Sequence, residues 1–451
     1  MFSAQDYSAR RAALLDRLPE RSLAVIPPTS VKPSSADASH TYAPSRNLFY
    51  LTGLTQENTW LLLFRTPAGD TVETLFTDPF DPEYEKWWGR KLTAEEASTV
   101  SGIATVRTDR DWEGAIDRSL MRGGIEHVFV DYPVAGLGQP RGQRQRFAWK
   151  LSKAWPDRTH GRLSPHIHAM RMVKDEKEAE LIRKAAGITG EAFAAALSIL
   201  RPGIRECVIE AELQRVFIAS GAREAFPVIA AGGARATCLH YTSNDAVLED
   251  GDLLLIDFGA AWKLYCSDIT RTVPVNGRYT DRQRQLVEMV LETQRDAIHR
   301  LSPGKLHAAW NLEVSEAYAE RLAAAGIIHE PAGIDAVYYH RTGHHLGLDT
   351  HDEALAETPI APGMVFTVEP GLYVAAESTG IRIEDDVMVG GEGNTILSDM
   401  IPREPSDIEA LMARGRGRPK LWRCSRTDCR DIRRRTDGDG PRSGEGRSER
   451  R

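Results

Sequence analysis

The sequence sets four carboxylates and one imidazole, Asp257, Asp268, His344, Glu369 and Glu384, in five distinctive local contexts between residues 257 and 384. Any fold that uses them together must carry widely separated segments to one point. A hard, oxygen-rich donor set of this kind suits manganese, cobalt or a catalytic zinc pair better than a closed structural zinc site. The chemistry it implies is that of a metallohydrolase.

The local patterns favour convergence. Asp257 closes the apolar run Leu253-Leu254-Leu255-Ile256, which reads as a buried strand delivering a carboxylate at its end. Asp268 follows in Ser267-Asp268-Ile269-Thr270-Arg271-Thr272, close enough to lie on the returning strand of a hairpin. Glu369 ends Met364-Val365-Phe366-Thr367-Val368, and Pro370-Gly371 then break the ladder and begin a turn. In Ile381-Arg382-Ile383-Glu384 the side chains alternate, so Arg382 and Glu384 share a face while the isoleucines enter the core. One acid at a strand end is commonly a turn former or a solvated side chain. Three such strands beside a histidine-rich segment are harder to explain that way.

That segment, residues 338–352, holds His340, His344, His345 and His351, four of the thirteen histidines. Its glycines permit close approach of backbone to a site. One histidine reads as a ligand and others as supporting or proton-handling groups, with His345 the bystander.

These residues resemble the pita-bread metallopeptidases, a group comprising aminopeptidase P, prolidase, methionine aminopeptidase and creatinase. The resemblance covers about residues 1–412. Asp257, the run Asp268-Ile269-Thr270-Arg271-Thr272, the run Thr367-Val368-Glu369-Pro370-Gly371-Leu372-Tyr373 and the run Ile381-Arg382-Ile383-Glu384-Asp385-Asp386 are similar to aminopeptidase P almost word for word. The resemblance implies two divalent metal ions per subunit, manganese as first choice with cobalt or zinc as alternatives. Asp257 would chelate one, Asp268 and Glu384 would bridge both, and His344 and Glu369 would complete the second. A metal-bridging hydroxide would attack the scissile carbonyl, with Glu369 taking the proton of the attacking water. The resemblance further places His240 near the scissile peptide and His351 on the substrate carbonyl or tetrahedral intermediate, with His340 and Arg382 in support. One departure stands out: the family usually has His-Gly where this chain has His340-Arg341, which puts the pose of His340 in question.

The composition, 41% hydrophobic and 27% charged over 451 residues, allows two domains with real cores. There is no apolar run of about 18 residues to span a bilayer, and the amino terminus lacks the basic-then-apolar signature of a signal peptide. The expectation is a cytoplasmic protein without membrane contact. Five cysteines, including the scattered Cys207, Cys238 and Cys266, argue against a disulfide framework.

The fold class expected is α/β (α+β). Residues 1–170 form an aminopeptidase P-like amino-terminal domain of three α/β layers, and residues 171–412 a pita-bread catalytic domain. Asp175-Glu176-Lys177-Glu178 has capping-box spacing and opens a helix to about Leu200, ended by Pro202-Gly203. The amino-terminal motifs around Asn47 and around Trp87-Trp88 resemble aminopeptidase P rather than bacterial prolidase. In that family the tryptophan matching Trp87 reaches a neighbouring active site, which implies a homo-oligomer, dimer or tetramer; the alternative is a pair of tryptophans in a local core. Residues 413–451 carry 14 Lys/Arg against 6 Asp/Glu, a net +8 in a chain of −7, so residues 1–412 stand at −15. This basic tail reads as disordered, and a nucleic-acid contact through it is the lesser reading beside a plain solvated extension. Cys424 and Cys429 are too few for a zinc module.

The activity expected is removal of an N-terminal residue from peptides with proline at the second position, with an Xaa-Pro dipeptidase (prolidase) as the runner-up and a non-catalytic scaffold as the third reading.

Overall fold

The computed structural model describes residues 2–415, apart from positions 30, 67, 123, 135 and 137. The amino-terminal part runs α1 (Ala4–Asp16), β1 (Ser22–Ile26), α2 (Arg46–Thr52), β2 (Trp60–Arg65), β3 (Thr71–Phe76), α3 (Pro82–Trp88), α4 (Ala94–Ser101), β4 (Val106–Arg107), α5 (Trp112–Arg122), β5 (His127–Val130), α6 (Gln143–Ala154), β6 (Thr159–Arg162) and α7 (Ser164–Arg171). Its six strands form one mixed sheet in the order β4-β3-β2-β1-β5-β6. Strand β1 lies inside the sheet, antiparallel to β2 and parallel to β5, and every one of its residues is buried. Leu23 and Val25 face a core with Ile116 and Leu120 of α5 and Leu151 of α6. Ala24 and Ile26 face the opposite core, with Leu14 of α1, Leu51 of α2 and Ala97 of α4. A strand covered on both faces has no use for polar alternation, and the continuous apolar run Leu23 to Ile26 follows from that. The three layers expected from the sequence are present.

The catalytic part opens with α8 (Glu176–Ile199), capped by Asp175 as its spacing predicted: Glu178 N donates to Asp175 Oδ1 at 2.8 Å and Asp175 N to Glu178 Oε2 at 3.1 Å. The helix stops at Leu200. There follow α9 (Glu206–Ala219), β7 (Arg223–Glu224), β8 (Ile229–Gly232), β9 (Leu253–Phe258), β10 (Ala260–Trp262), β11 (Tyr265–Cys266), β12 (Ile269–Pro274), α10 (Asp281–Arg300), α11 (His307–Ala324), β13 (Val365–Val368), β14 (Gly371–Val374), β15 (Thr379–Arg382), β16 (Asp385–Met388), β17 (Thr395–Ile396) and α12 (Pro405–Gly415). The strands form small sheets, β12-β9-β8 and β13-β16-β17 among them. Phe193 and Leu197 of α8, Leu213 and Phe217 of α9 and Leu286 and Val290 of α10 pack with Ile256, Phe258, Ile381 and Ile383 in the main core. This is the α/β, pita-bread architecture expected.

Three details differ from the sequence expectations. Strands β9 and β12 do pair antiparallel, with Asp257 opposite Thr270, but a second hairpin, β10–β11, is inserted between them and pairs instead with β7. Pro370 ends β13 as foreseen, yet Gly371 begins β14 directly instead of a turn. Helix α12 continues to Gly415, into the segment assigned to the tail; residues 416–451, with Cys424 and Cys429, lie outside the described residues. Trp87 and Trp88 belong to no core, being 79% and 63% exposed.

Candidate metal centre

Each of the five acid and histidine candidates sits at or beside the end of a strand or against one. Asp257 is the penultimate residue of β9, Asp268 precedes β12, Glu369 follows β13, and Glu384 lies in the step between β15 and β16. His344 is held to β13 from outside: its N–H donates to Thr367 Oγ1 at 3.1 Å and its carbonyl accepts from Thr367 N at 2.9 Å. This approach needs Gly343, where a Cβ would stand 1.9 Å from the Thr367 carbonyl oxygen. Gly259 plays the same part on the other side, with Ser267 O only 1.8 Å from where its Cβ would be. Two strands bearing acids are thereby brought close.

The structure gathers His240, Asp257, Asp268, His340, His344, His351, Glu369, Arg382 and Glu384, all nine of the side chains singled out, around one cavity of about 810 Å³. Asp268, His344 and Glu384 each offer a ligand atom within 4.8 Å of the others. His344 Nε2 lies 3.4 Å from Asp268 Oδ2 and 3.7 Å from Glu369 Oε1. Asp257 stands beside this group with Oδ2 accepting from Arg382 Nη2 at 2.6 Å. Its other oxygen, Oδ1, is buried and has no hydrogen-bond partner.

The electrostatics call for cations. Burial, then the charges of Asp257 and Glu369, raises the Asp268 carboxyl well above the usual carboxylate range. Burial, then Asp268 and Glu369, does the same at Glu384. Burial also raises Glu369, against the opposing pull of His344 and Arg382. The one guanidinium inside this group, Arg382, already serves Asp257, Thr270 Oγ1 at 3.1 Å and Tyr373 Oη at 3.0 Å. His344 Nδ1 lies 3.0 Å from the His345 carbonyl, so it carries a proton and leaves Nε2 as a free donor atom facing two carboxylates. Convergent oxygens, an orphaned Asp257 Oδ1 and an imidazole presenting Nε2 all fit divalent metal.

The surrounding histidines divide by environment. His340 is pinned at both nitrogens, Nδ1 at 2.8 Å from the Arg341 carbonyl and Nε2 at 2.8 Å from Tyr373 Oη, so Arg341 does not dislodge its ring. Burial, then the Arg382 charge, lowers its imidazole to about 4. His351 lies against His344 with ring centroids 4.0 Å apart and the rings tilted by 35°. His345 packs on Phe366, ring to ring at 4.1 Å, and does not line the cavity.

Sequence reasoning passed over several side chains that hold the others. Tyr373 joins His340 to Arg382, and Thr270 takes a bond from Arg382 while donating to Glu384 Oε2 at 2.6 Å. Both lie inside the strand motifs already noted, and Thr270, two residues from Asp268, shares its face by strand alternation. Glu206 accepts from Gly232 N, Arg235 Nε, Tyr241 Oη and Ala246 N, and so fastens both ends of the loop that carries His240. No local pattern announced it.

The fold and this acid–histidine centre define a class, the metallopeptidases of pita-bread architecture. Residues 180–390 match metallopeptidase family M24, and residues 7–128 match the aminopeptidase P N-terminal domain. The chain is 30% identical over 445 residues to the Xaa-Pro aminopeptidase of Escherichia coli (strain K12), covering 92% of this chain and 99% of that protein. It is 28% identical over 422 residues to the Arabidopsis thaliana protein named intermediate cleaving peptidase 55, mitochondrial, covering 90% and 83%. The solved structure of Pseudomonas aeruginosa aminopeptidase PepP matches with a TM-score of 0.84 at 30% identity, over 92% of this chain and 99% of that one. The chain belongs to the aminopeptidase P family of M24 metallopeptidases, with Asp268, His344 and Glu384 as candidate metal ligands.

Proposed function

We propose that this protein is an Xaa-Pro aminopeptidase that uses two divalent metals, manganese first among them, held by Asp257, Asp268, His344, Glu369 and Glu384. The observation that carries the reading is the convergence of these five side chains, with His240, His340 and His351, on a single cavity. The name of the Escherichia coli relative supports the substrate class. An Xaa-Pro bond is a tertiary amide without N–H, which peptidases that depend on that donor cannot hold, so a dedicated pocket is required.

Divalent cations, when bound, supply Lewis-acid polarisation of the scissile carbonyl and an acidified water as nucleophile. Asp257, Asp268, His344, Glu369 and Glu384 would hold these cations. Glu369, whose carboxyl burial pushes upward, takes the proton of the attacking water and returns it to the proline nitrogen as the C–N bond breaks. His351 donates to the developing oxyanion, and His240 lies along the scissile peptide. Arg382 and Tyr373 keep Asp257 and His340 in place. The exposed Trp87 and Trp88 support a homo-oligomer. A division of the chain near residue 170 is supported by the last strand of the amino-terminal sheet ending at Arg162 and the capped start of α8 at Glu176. No helix among the described residues is long and apolar enough to cross a membrane.

The test is a product assay with Xaa-Pro-Yaa tripeptides and Xaa-Pro dipeptides after reconstitution with manganese, cobalt or zinc, alongside Asp268→Ala. Release of the first residue from the tripeptide, little turnover of the dipeptide and an inactive, metal-poor variant are expected. Cleavage of dipeptides alone would make the protein a prolidase. Full turnover by Asp268→Ala would end the two-metal assignment.

A further inference from the structure

The cavity wall carries two guanidiniums, and they are in opposite states. Arg382 is buried and saturated by Asp257, Thr270 and Tyr373. Arg341 is exposed, lines the same cavity, and its guanidinium makes no hydrogen bond and no ion pair among the described residues. Its backbone is committed: the Arg341 carbonyl holds His340 Nδ1 at 2.8 Å, and the same nitrogen lies 3.9 Å from Glu369 Oε2. The side chain therefore springs from a fixed point at the edge of the acidic floor and is free to meet whatever enters. Its charge reaches inward far enough to be felt at His307, whose Nε2 lies 2.9 Å from the Gly343 carbonyl.

A short peptide carries one cation, its N-terminal ammonium, and one anion, its terminal carboxylate. Four carboxylates at the floor, Asp257, Asp268, Glu369 and Glu384, suit the ammonium end and the metals. That end of the cavity is thereby taken, and the carboxylate must lie away from it. Beyond the floor the wall has an apolar stretch, Phe226, Pro227, Ile229 and Leu239, beside the hydroxyls of Thr242 and Thr350, which bring no charge to an anion. Arg341 is the one unengaged cation lining this cavity among the described residues, and a guanidinium matches a carboxylate with two parallel hydrogen bonds.

We propose that Arg341 is a specificity-determining residue that selects peptides bearing a carboxylate just beyond the proline, supplied by the chain terminus of a tripeptide or by an acidic third side chain. The inference rests on the Xaa-Pro aminopeptidase reading and deepens it, since it names which Xaa-Pro peptides are preferred. Because the contact is made to a group remote from the reacting bond and is equal in ground and transition states, it lowers KM and leaves kcat alone.

The experiment measures kcat and KM of the full-length, metal-reconstituted enzyme for three peptides: Ala-Pro-Ala, its C-terminal amide, and Ala-Pro-Asp amide. Wild type, Arg341→Gln and Arg341→Lys are compared, with metal content and Tm recorded. The wild type is expected to prefer the free acid over the neutral amide by about tenfold in kcat/KM, the scale of one partly exposed charge-assisted pair. In Arg341→Gln that ratio falls to about one through KM, while Arg341→Lys, which keeps the charge and loses the fork, retains part of it. High turnover of Ala-Pro-Asp amide identifies the side-chain carboxylate as an equal ligand, and turnover like that of the neutral amide identifies the chain terminus. An unchanged acid-to-amide ratio in Arg341→Gln, or an equal loss on all three peptides, would overturn the assignment. Failure of the wild type to cleave any of them would overturn the parent reading instead, and the two failures are distinct.

Discussion

At the scale of single residues, charge states decide what each group can do. Burial, with His344 and His240 adding to it, lowers the His351 imidazole to about 4, so at neutral pH the ring is uncharged and donates from one nitrogen. If that donor meets the developing oxyanion, His351→Ala lowers kcat by about 10²–10³-fold, the scale of a lost oxyanion donor. Metal content is expected to stay at the wild-type level; depletion of metal in the variant would mark His351 as a ligand. Its neighbour Asp352 works differently. Burial disfavours its charge, but Lys174 Nζ at 2.9 Å and the Arg171 guanidinium outweigh burial and hold the carboxyl at about 2, against 3.8 for a free side chain. A depressed folded value means that stabilisation is fully present above the unfolded value and is lost as pH falls through the folded one. About 2 kcal/mol should therefore fade between pH 4 and pH 2. Asp352→Asn removes that acid sensitivity and, by taking the carboxylate from the buried Lys174 while Arg171 keeps Asp349, costs about 3 kcal/mol at pH 7. Urea unfolding of both proteins across this pH range measures both effects.

At the scale of elements, the approach of the histidine segment to β13 turns on one missing methyl group. Gly343→Ala would press a Cβ against the Thr367 carbonyl and push His344 out of line with Asp268. The expected result is a destabilised protein that binds metal poorly. Gly187, in the middle of α8 with nothing within 4 Å of its Cβ position, is the counterpart: Gly187→Ala should stabilise by up to about 1 kcal/mol. Thermal melts and metal analysis of the two variants separate the cases, and equal behaviour would refute the packing argument. The elements themselves were unevenly legible. The α8 cap was plain because Asp175 and Glu178 are three residues apart and bond each other. The β10–β11 hairpin was not, because its two-residue turn is Lys263-Leu264, with φ of 49° and 72°. That left-handed turn ordinarily advertises itself by Asn-Gly, and neither residue here does so.

At the scale of the whole molecule, a buried polar chain ties the amino-terminal unit to the histidine segment. Asn47 Nδ2 donates to Asp131 Oδ1 at 2.9 Å while Asn47 Oδ1 accepts from Arg171 Nη1 at 2.7 Å, and Arg171 also bonds Asp349 Oδ2 at 2.7 Å and reaches Asp352. Arg46 Nε adds a bond to the Leu348 carbonyl at 3.0 Å. The amino-terminal domain thus braces the loop between His344 and His351. Residues 416–451 carry 13 Lys/Arg against 6 Asp/Glu and few apolar side chains. Their removal should leave Tm and peptide cleavage within error of wild type, because a segment so polar adds little to a core. A fall in Tm on truncation would show that the tail packs on the body of the protein.

By itself the sequence determined the placing of the candidate acids at strand ends, the buried faces of those strands, the capped helix that opens the catalytic part and the two-part organisation. All of these are written within about ten residues, in periodicity, caps and breakers. Only the tertiary structure decided which atoms oppose which: Arg382 on Asp257, Thr270 on Glu384, Arg171 on Asn47 and Lys174 on Asp352, across separations of 125, 114, 124 and 178 residues. It also decided that Trp87 and Trp88 face outward and that the Arg341 side chain has no partner among the described residues. Local pattern reports which face of an element is buried, whereas the partner across the interface is selected by packing and charge among segments that meet only once the chain has folded.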